Sequence, residues 1–203
     1  MTWYYITIFI AAVLLGIFQA PIWLIIIVLL GLSLISLSQQ LYPVLLETKT
    51  DKILSYLKKS KLPYYQFIYQ FFEGSTEEME DALQKIRAKD QKKIAEVLFL
   101  LKQEKYSEAE STLLELNNND FKTYHSAIVY LHLGNEKAYN DNKWKIKDTN
   151  YQTLLQVTEL ELEDKIEEAI TILDRQIPSL KGLKRLSFIQ YQKELLAKTA
   201  KNT

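Results

Sequence analysis

His125 and His132, the only histidines, and the acidic run Glu159-Leu-Glu-Leu-Glu-Asp164 are the groups whose type and spacing invite a chemical reading. On a helix the two histidines share a face, but seven residues of rise is roughly 10.5 Å, too far for one metal ion to be held by both. They are expected to be surface or half-buried residues rather than ligands. The carboxylates of 159–164 read as a solvated helix end and turn, because general acid–base work needs two such groups sequestered from water. The chain has no Cys, which removes disulfides, thiolate nucleophiles and Cys-based zinc sites together; that agrees with a reducing compartment. A nucleophile elbow, a P-loop, a dinucleotide fingerprint and HExxH are all absent from the sequence. The reading is a non-enzyme with no catalytic residue, cofactor or metal. A formal net charge of +0 gives no basic footprint for nucleic acid.

Without reactive groups, the organisation of the chain carries the argument. The first 46 residues hold no Asp, Glu, Lys or Arg, and all charged residues lie in the remaining 157. Pro21 divides this apolar run, and the Gln19-Ala20-Pro21 break suits a helical hairpin because proline fits the first turn of a new helix. The expected helices, about 2–19 and 22–40, are each roughly 27–28 Å long, just enough for a hydrocarbon core of about 30 Å. Ile22 to Leu37 holds twelve Ile, Leu or Val residues, which together favour insertion by very roughly 4–7 kcal/mol. Trp3, Tyr4, Tyr5 and Tyr42 are placed for one membrane–water interface and Trp23 for the other. Residues 47–61 form a basic juxtamembrane helix with Lys49, Lys52, Lys58, Lys59 and Lys61 against Glu47 and Asp51. The positive-inside rule then puts both termini in the cytoplasm of a two-span protein of the cell membrane, and the lysines can rest on anionic headgroups.

The remainder, 62–203, reads as an all-α domain. Pro63, Gly74, Gly134, Pro178 and Gly182 punctuate segments of helical period, and no stretch shows a convincing strand pattern. Helices are expected at 49–60, 64–73, from Ser75 with Glu78 as a capping box, and at 91–104. A second capping box is read at Ser107 and Glu110, and Asp120 is read as the N-cap of a helix ending at Gly134. Residues 135–149 are polar and hard to place. Further helices follow at 150–162, 165–177 and 183–199, about eight in all. Of the aromatic run 64–72, Tyr65, Tyr69 and Phe72 are expected to border a groove for a partner helix or the bilayer interface.

A repeat runs through this string: Met79-Glu-Asp-Ala82-x-x-x-Ile86, Tyr106-Ser-Glu-Ala109-x-x-x-Leu113 and Ile166-Glu-Glu-Ala169-x-x-x-Leu173. A small Ala lets the second helix of a hairpin press against the first, and the aliphatic one turn on fills the groove. With Leu131-His-Leu-Gly134 added, residues 62–178 resemble a degenerate tetratricopeptide repeat. Ala82, Ala109 and Ala169 are unevenly spaced, where that family keeps a period of about 34 residues, and its usual Gly beside the first-helix aromatic is missing. The resemblance implies a partner-binding α-solenoid. The expected function is therefore a bacterial-type membrane-anchored, non-catalytic scaffold or adaptor that holds an unidentified protein partner. The competing expectation makes the hairpin the working part, in an accessory subunit of a transporter or insertase or in an immunity-type membrane protein.

Overall fold

The computed structural model describes residues 21–201, excepting the side chains of residues 36, 37, 39, 40 and 201. Among the described residues the chain is all-α, with no strand. The helices are α1 (Ile22–Leu45), α2 (Thr50–Lys59), α3 (Pro63–Glu73), α4 (Thr76–Gln84), α5 (Lys89–Lys102) and α6 (Tyr106–Leu114). They continue with α7 (Asp120–His132), α8 (Glu136–Lys143), α9 (Thr149–Leu162), α10 (Ile166–Gln176) and α11 (Gly182–Lys201), with a 3-10 turn at Ile177–Ser179 before the last. Ten α-helices thus follow Glu47 rather than about eight.

Helices α4, α6, α8 and α10 begin at Thr76, Tyr106, Glu136 and Ile166, so the starts are evenly spaced along the chain. Each packs antiparallel on the helix preceding it, and the body is a stack of four helical hairpins, α3–α4 to α9–α10, closed by α11. The turns inside the last three hairpins are alike. Glu104, Gly134 and Asp164 all have positive φ, at 58°, 68° and 61°. The N–H of the next residue then reaches back to the last turn of the preceding helix: Lys105 to the Leu100 carbonyl (2.9 Å), Asn135 to Tyr130 (2.9 Å) and Lys165 to Leu160 (2.8 Å). These are Schellman turns, which satisfy carbonyls that the helix end leaves unpaired. The core is correspondingly segmented into four apolar clusters, each shared by neighbouring helices, as expected of a quasi-one-dimensional stack.

Several boundaries differ from the sequence reading, each for a local reason. The helix expected to stop at residue 40 runs on to Leu45 with Pro43 in its final turns. There Val44 is buried and Leu41 packs on the first core cluster, so tertiary contact outweighs the proline. The second capping box does not form: α6 starts at Tyr106 straight out of the Glu104 turn, with no side-chain cap. Asn119, not Asp120, caps α7, its Oδ1 accepting from the Lys122 N–H at 2.8 Å. The polar stretch after Gly134 holds a helix, α8, capped by Asn135 Oδ1 on the Ala138 N–H at 3.1 Å. The first capping box is present, with Ser75 and Glu78 bonded reciprocally at 3.2 and 3.0 Å.

The chain closes on its own beginning. The Gly182 N–H donates to the Glu47 carbonyl at 2.7 Å, and Leu186 of α11 is buried in the same cluster as Val44, Ile53 and Leu57. A Cβ on Gly182 would lie 2.0 Å from the Val44 carbonyl oxygen, and φ there is +57°. Both the close approach and the left-handed backbone require glycine. Across the arc, Gln190 Nε2 donates to Glu73 Oε1 at 2.6 Å. Among the described residues no helix is long and apolar enough to cross a membrane. The expected first span, 2–19, lies outside them, as do Trp3, Tyr4 and Tyr5, and four side chains within the expected second span are not described. The described chain therefore does not itself establish the two-span hairpin or the multi-pass location expected for residues 1–46.

Candidate functional site: the concave groove

Because the hairpins repeat at an even interval, their first helices present equivalent positions to one concave side. Ile68, Leu98, Ile128, Thr158 and Phe188 recur at that interval, one on each of α3, α5, α7, α9 and α11, and all line a single groove of about 540 Å³. One turn along, Phe71, Leu101, Glu161 and Tyr191 do the same. The closure of α11 on α2 and α3 turns this side of the arc into a partly enclosed cavity rather than an open trough.

The lining is aromatic with a few tethered polar groups. Tyr124 and Tyr151 stack with ring centroids 4.6 Å apart and an interplanar angle of 15°. His125 lies 4.0 Å from the Phe121 ring centroid and 4.8 Å from that of Tyr124, and its Nδ1 is 2.8 Å from the Phe121 carbonyl. Burial pushes the His125 pKa down to about 4, against the pull of that carbonyl, so the ring is neutral at physiological pH and donates to Phe121 O. Burial likewise raises Tyr124, and lifts Tyr151 to about 12. At one lip Lys102 donates to the Phe71 carbonyl at 3.0 Å and lies 5.1 Å from the Phe71 ring centroid, a cation–π geometry. At the other end Lys184 pairs with Asp148 at 2.8 Å. Burial opposes the Asp148 carboxylate, but Lys184 and Asn150 outweigh it and hold its pKa below the usual value.

The acidic run at 159–164 is less solvated than its sequence suggests. Glu159 accepts from both Tyr139 and Lys143, and Glu161 accepts from Tyr191 and Lys198. Both carboxylates thus join neighbouring helices. Burial first, then the Glu161 hydrogen bond, raises the Tyr191 pKa. Of the acids in the run, only Glu163 and Asp164 are exposed. His132 stacks on Tyr106, 4.3 Å apart and 8° from parallel, while His125 is buried one face inward. No group of His, Cys, Asp or Glu among the described residues is placed to hold a metal ion.

The three aromatics expected to border a groove do not line one cavity. Phe72 lines the concave groove, edge-on to Phe71 at 5.1 Å. Tyr65 faces α2, with its ring 5.9 Å from that of Tyr56. Tyr69 lines a shallow outer cleft with Gln66, Asp81 and Lys85, beneath Lys58 at 5.7 Å. Of the residues expected at a membrane interface, Trp23 is 59% exposed and Tyr42 52%. Lys49, Lys52, Lys58 and Lys59 are exposed, with Lys52 pairing loosely to Glu47 at 3.8 Å. Sequence reading missed Tyr124, Tyr151 and Tyr191 as groove residues, and His125, expected at the surface or half-buried, is buried beneath them. The signal that finds Tyr151 and Tyr191 is the even interval itself, which relates Phe121 to Tyr151 and Glu161 to Tyr191. Compared with protein-family models, curated proteins and solved structures, the chain shows no match.

Proposed function

We propose that the protein is a membrane-tethered, non-catalytic scaffold whose concave groove holds a segment of a partner protein. The observation that carries this reading is the groove: five helices bring equivalent positions to one surface, where Ile68, Thr158 and Phe188 form a buried floor and Leu98, Ile128, Tyr124 and Tyr151 stay partly exposed. Its mouth and volume suit a helical or extended segment offering one or two apolar anchors to the Tyr124–Tyr151 stack, with backbone or polar groups reaching Lys102 and the Asp148–Lys184 pair. The resemblance to tetratricopeptide repeats supports the same use, although the interval from Thr76 to Tyr106 and onward is shorter than that family's period of about 34 residues. Phe72 belongs to that surface, whereas Tyr65 and Tyr69 hold α3 to α2. Of the carboxylates that line the groove, Asp148 is paired with Lys184 and Glu161 accepts from Tyr191 and Lys198, which favours binding over chemistry.

The tether is the other half of the reading. Helix α1 has 24 residues, about 36 Å at 1.5 Å per residue, without a charged side chain. Ile22, Leu34 and Leu30 are 75%, 65% and 59% exposed, an apolar surface that lipid would cover. Leu41 and Val44, in its last turns, pack on the body. The reading takes the apolar sequence segments 2–19 and 22–40 as the two spans of a hairpin, which the lysines after Glu47 orient with both termini in the cytoplasm. The function is tested by a photo-crosslinking amino acid at Ile128, in the groove, and at Thr171, exposed on the outer helix α10, in native membranes. The expected result is a discrete protein adduct from 128 that is absent from 171. The same adducts from both sites, or none from 128, would contradict a groove-bound partner.

A further inference from the structure

The two ends of the helical stack differ in charge. One end carries the junction where α1 enters the body, marked by the 2.7 Å bond between Gly182 and Glu47. The links that enter each first helix gather there: 85–88, 115–119, 144–148 and 177–181. On them lie Lys85, Arg87, Lys145, Lys147 and Lys181, none of which forms an ion pair among the described residues, whereas the acids Glu115 and Asp148 are paired to Lys93 and Lys184. The opposite end carries Glu104, Glu163 and Asp164 in its turns and Glu77, Glu78, Glu108, Glu136, Glu167 and Glu168 in the first turns of the second helices, and these acids outnumber the bases of the same segments, Lys105, Lys137 and Lys165, the last paired with Glu163. Helix dipoles favour acids at every helix start. At the α1 end only Asp90 and Asp120 occupy first turns of α3, α5, α7, α9 or α11. The dipole therefore does not account for the skew.

Trp144 lies at this basic end. It caps α8, is 84% exposed, the most of any large apolar side chain described, and stands between Lys143, Lys145 and Lys147. Close by in the same link, Asp148 ties the chain to Lys184 beside the α1 junction. An uncovered indole beside Lys145 and Lys147, which form no ion pair among the described residues while Lys143 is held by Glu159, at the end from which an apolar helix departs, matches an interface between hydrocarbon and anionic headgroups.

We propose that this end of the stack lies on the bilayer, with Trp144 as a second, interfacial anchor and Lys145 and Lys147 on anionic phospholipid headgroups. The proposal rests on the membrane tether above. It fixes the groove's orientation, with first helices standing on the membrane and the acidic turns facing away. The absence of Cys makes the test direct. Full-length protein carrying Asp141→Cys, on the last turn of α8, or Glu163→Cys, at the acidic end, is labelled with a fluorophore. Each is reconstituted in phosphatidylcholine vesicles with or without phosphatidylglycerol, and quenching by headgroup-nitroxide lipid is read. The expected result is quenching at 141 but not at 163, greater in the anionic vesicles, and lost when Trp144→Ala and Lys147→Glu are added. Equal quenching at 141 and 163, or equal quenching in the two lipid compositions, overturns the proposal while leaving the tether intact. Failure of the chain to float with either vesicle would overturn the tether reading as well.

Discussion

His125 occupies the position that Ala95 and Leu155 hold in the neighbouring repeats, and all three are buried. Its counterparts are alkyl, so only here does the site carry an acid-sensitive group. Its pKa is about 4 in the folded protein and 6.5 when unfolded. Above pH 6.5 the ring is neutral in both states and its contribution is fully present. As the pH falls from 6.5 towards 4 only the unfolded chain takes the proton, and stability is lost at up to about 1.4 kcal/mol per pH unit. His125→Leu should flatten the fall of melting temperature over that window, leaving the smaller loss due to His132, whose pKa partial burial also lowers. Parallel wild-type and variant curves between pH 7 and 4.5 would show that the site is not acid-sensitive. The turn residues behave differently. Glu104 and Asp164 hold a left-handed backbone that costs a non-glycine residue about 1 kcal/mol. Glu104→Gly and Asp164→Gly should each raise stability by roughly 0.5 kcal/mol once the extra freedom of glycine in the unfolded chain is set against that gain. Denaturant titration checks the sign.

At the level of the helix, the outer members of the hairpins show what the sequence could and could not disclose. The position that presses into each first helix is filled by Met79, Ala109, Tyr139 and Ala169, all buried. Matching on alanine finds 109 and 169, misses 139, and slips to Ala82, which is one turn further along the same face of α4 and equally covered. A helix face is satisfied by either of two residues three apart, so the pattern alone cannot fix the register. The gap from Ala109 to Ala169 spans two intervals, with the repeat between them disguised by tyrosine. The capping box at Ser75 was legible because both its bonds are local. The one expected at Ser107 fails because the preceding Schellman turn already delivers the chain into α6. The closing element has one position that only glycine fits. Gly182→Ala would drive a Cβ into the Val44 carbonyl and strain a positive φ, and should cost several kcal/mol or detach α11 from α1 and α2. Gly134→Ala, with φ +68° but nothing within 4 Å, should cost only about 1 kcal/mol. Comparable melting shifts in the two variants would mean that backbone strain, not the junction, is what glycine serves at 182.

For the molecule as a whole, the partition of charge was plain in the sequence, and the all-α body was legible from helical periodicity and its Gly and Pro punctuation. The concave groove was not, because it is made by residues as distant in the chain as Ile68 and Phe188, which meet only when α11 closes the arc. Nor could the aromatic run 64–72 be assigned to one surface, since α3 is covered on three sides by α2, α4 and α5 and divides its rings among them. What remains is how this body is held. The hairpin requires that position 19 face outside the cell and that position 163 stay within. With no native Cys, single Gln19→Cys and Glu163→Cys proteins can be probed in intact cells with a membrane-impermeant maleimide. Labelling at 19 in intact cells, with labelling at 163 only after lysis, is the expected result. Labelling at neither position until lysis, with the protein released from vesicles by alkaline carbonate, would contradict the membrane-hung scaffold.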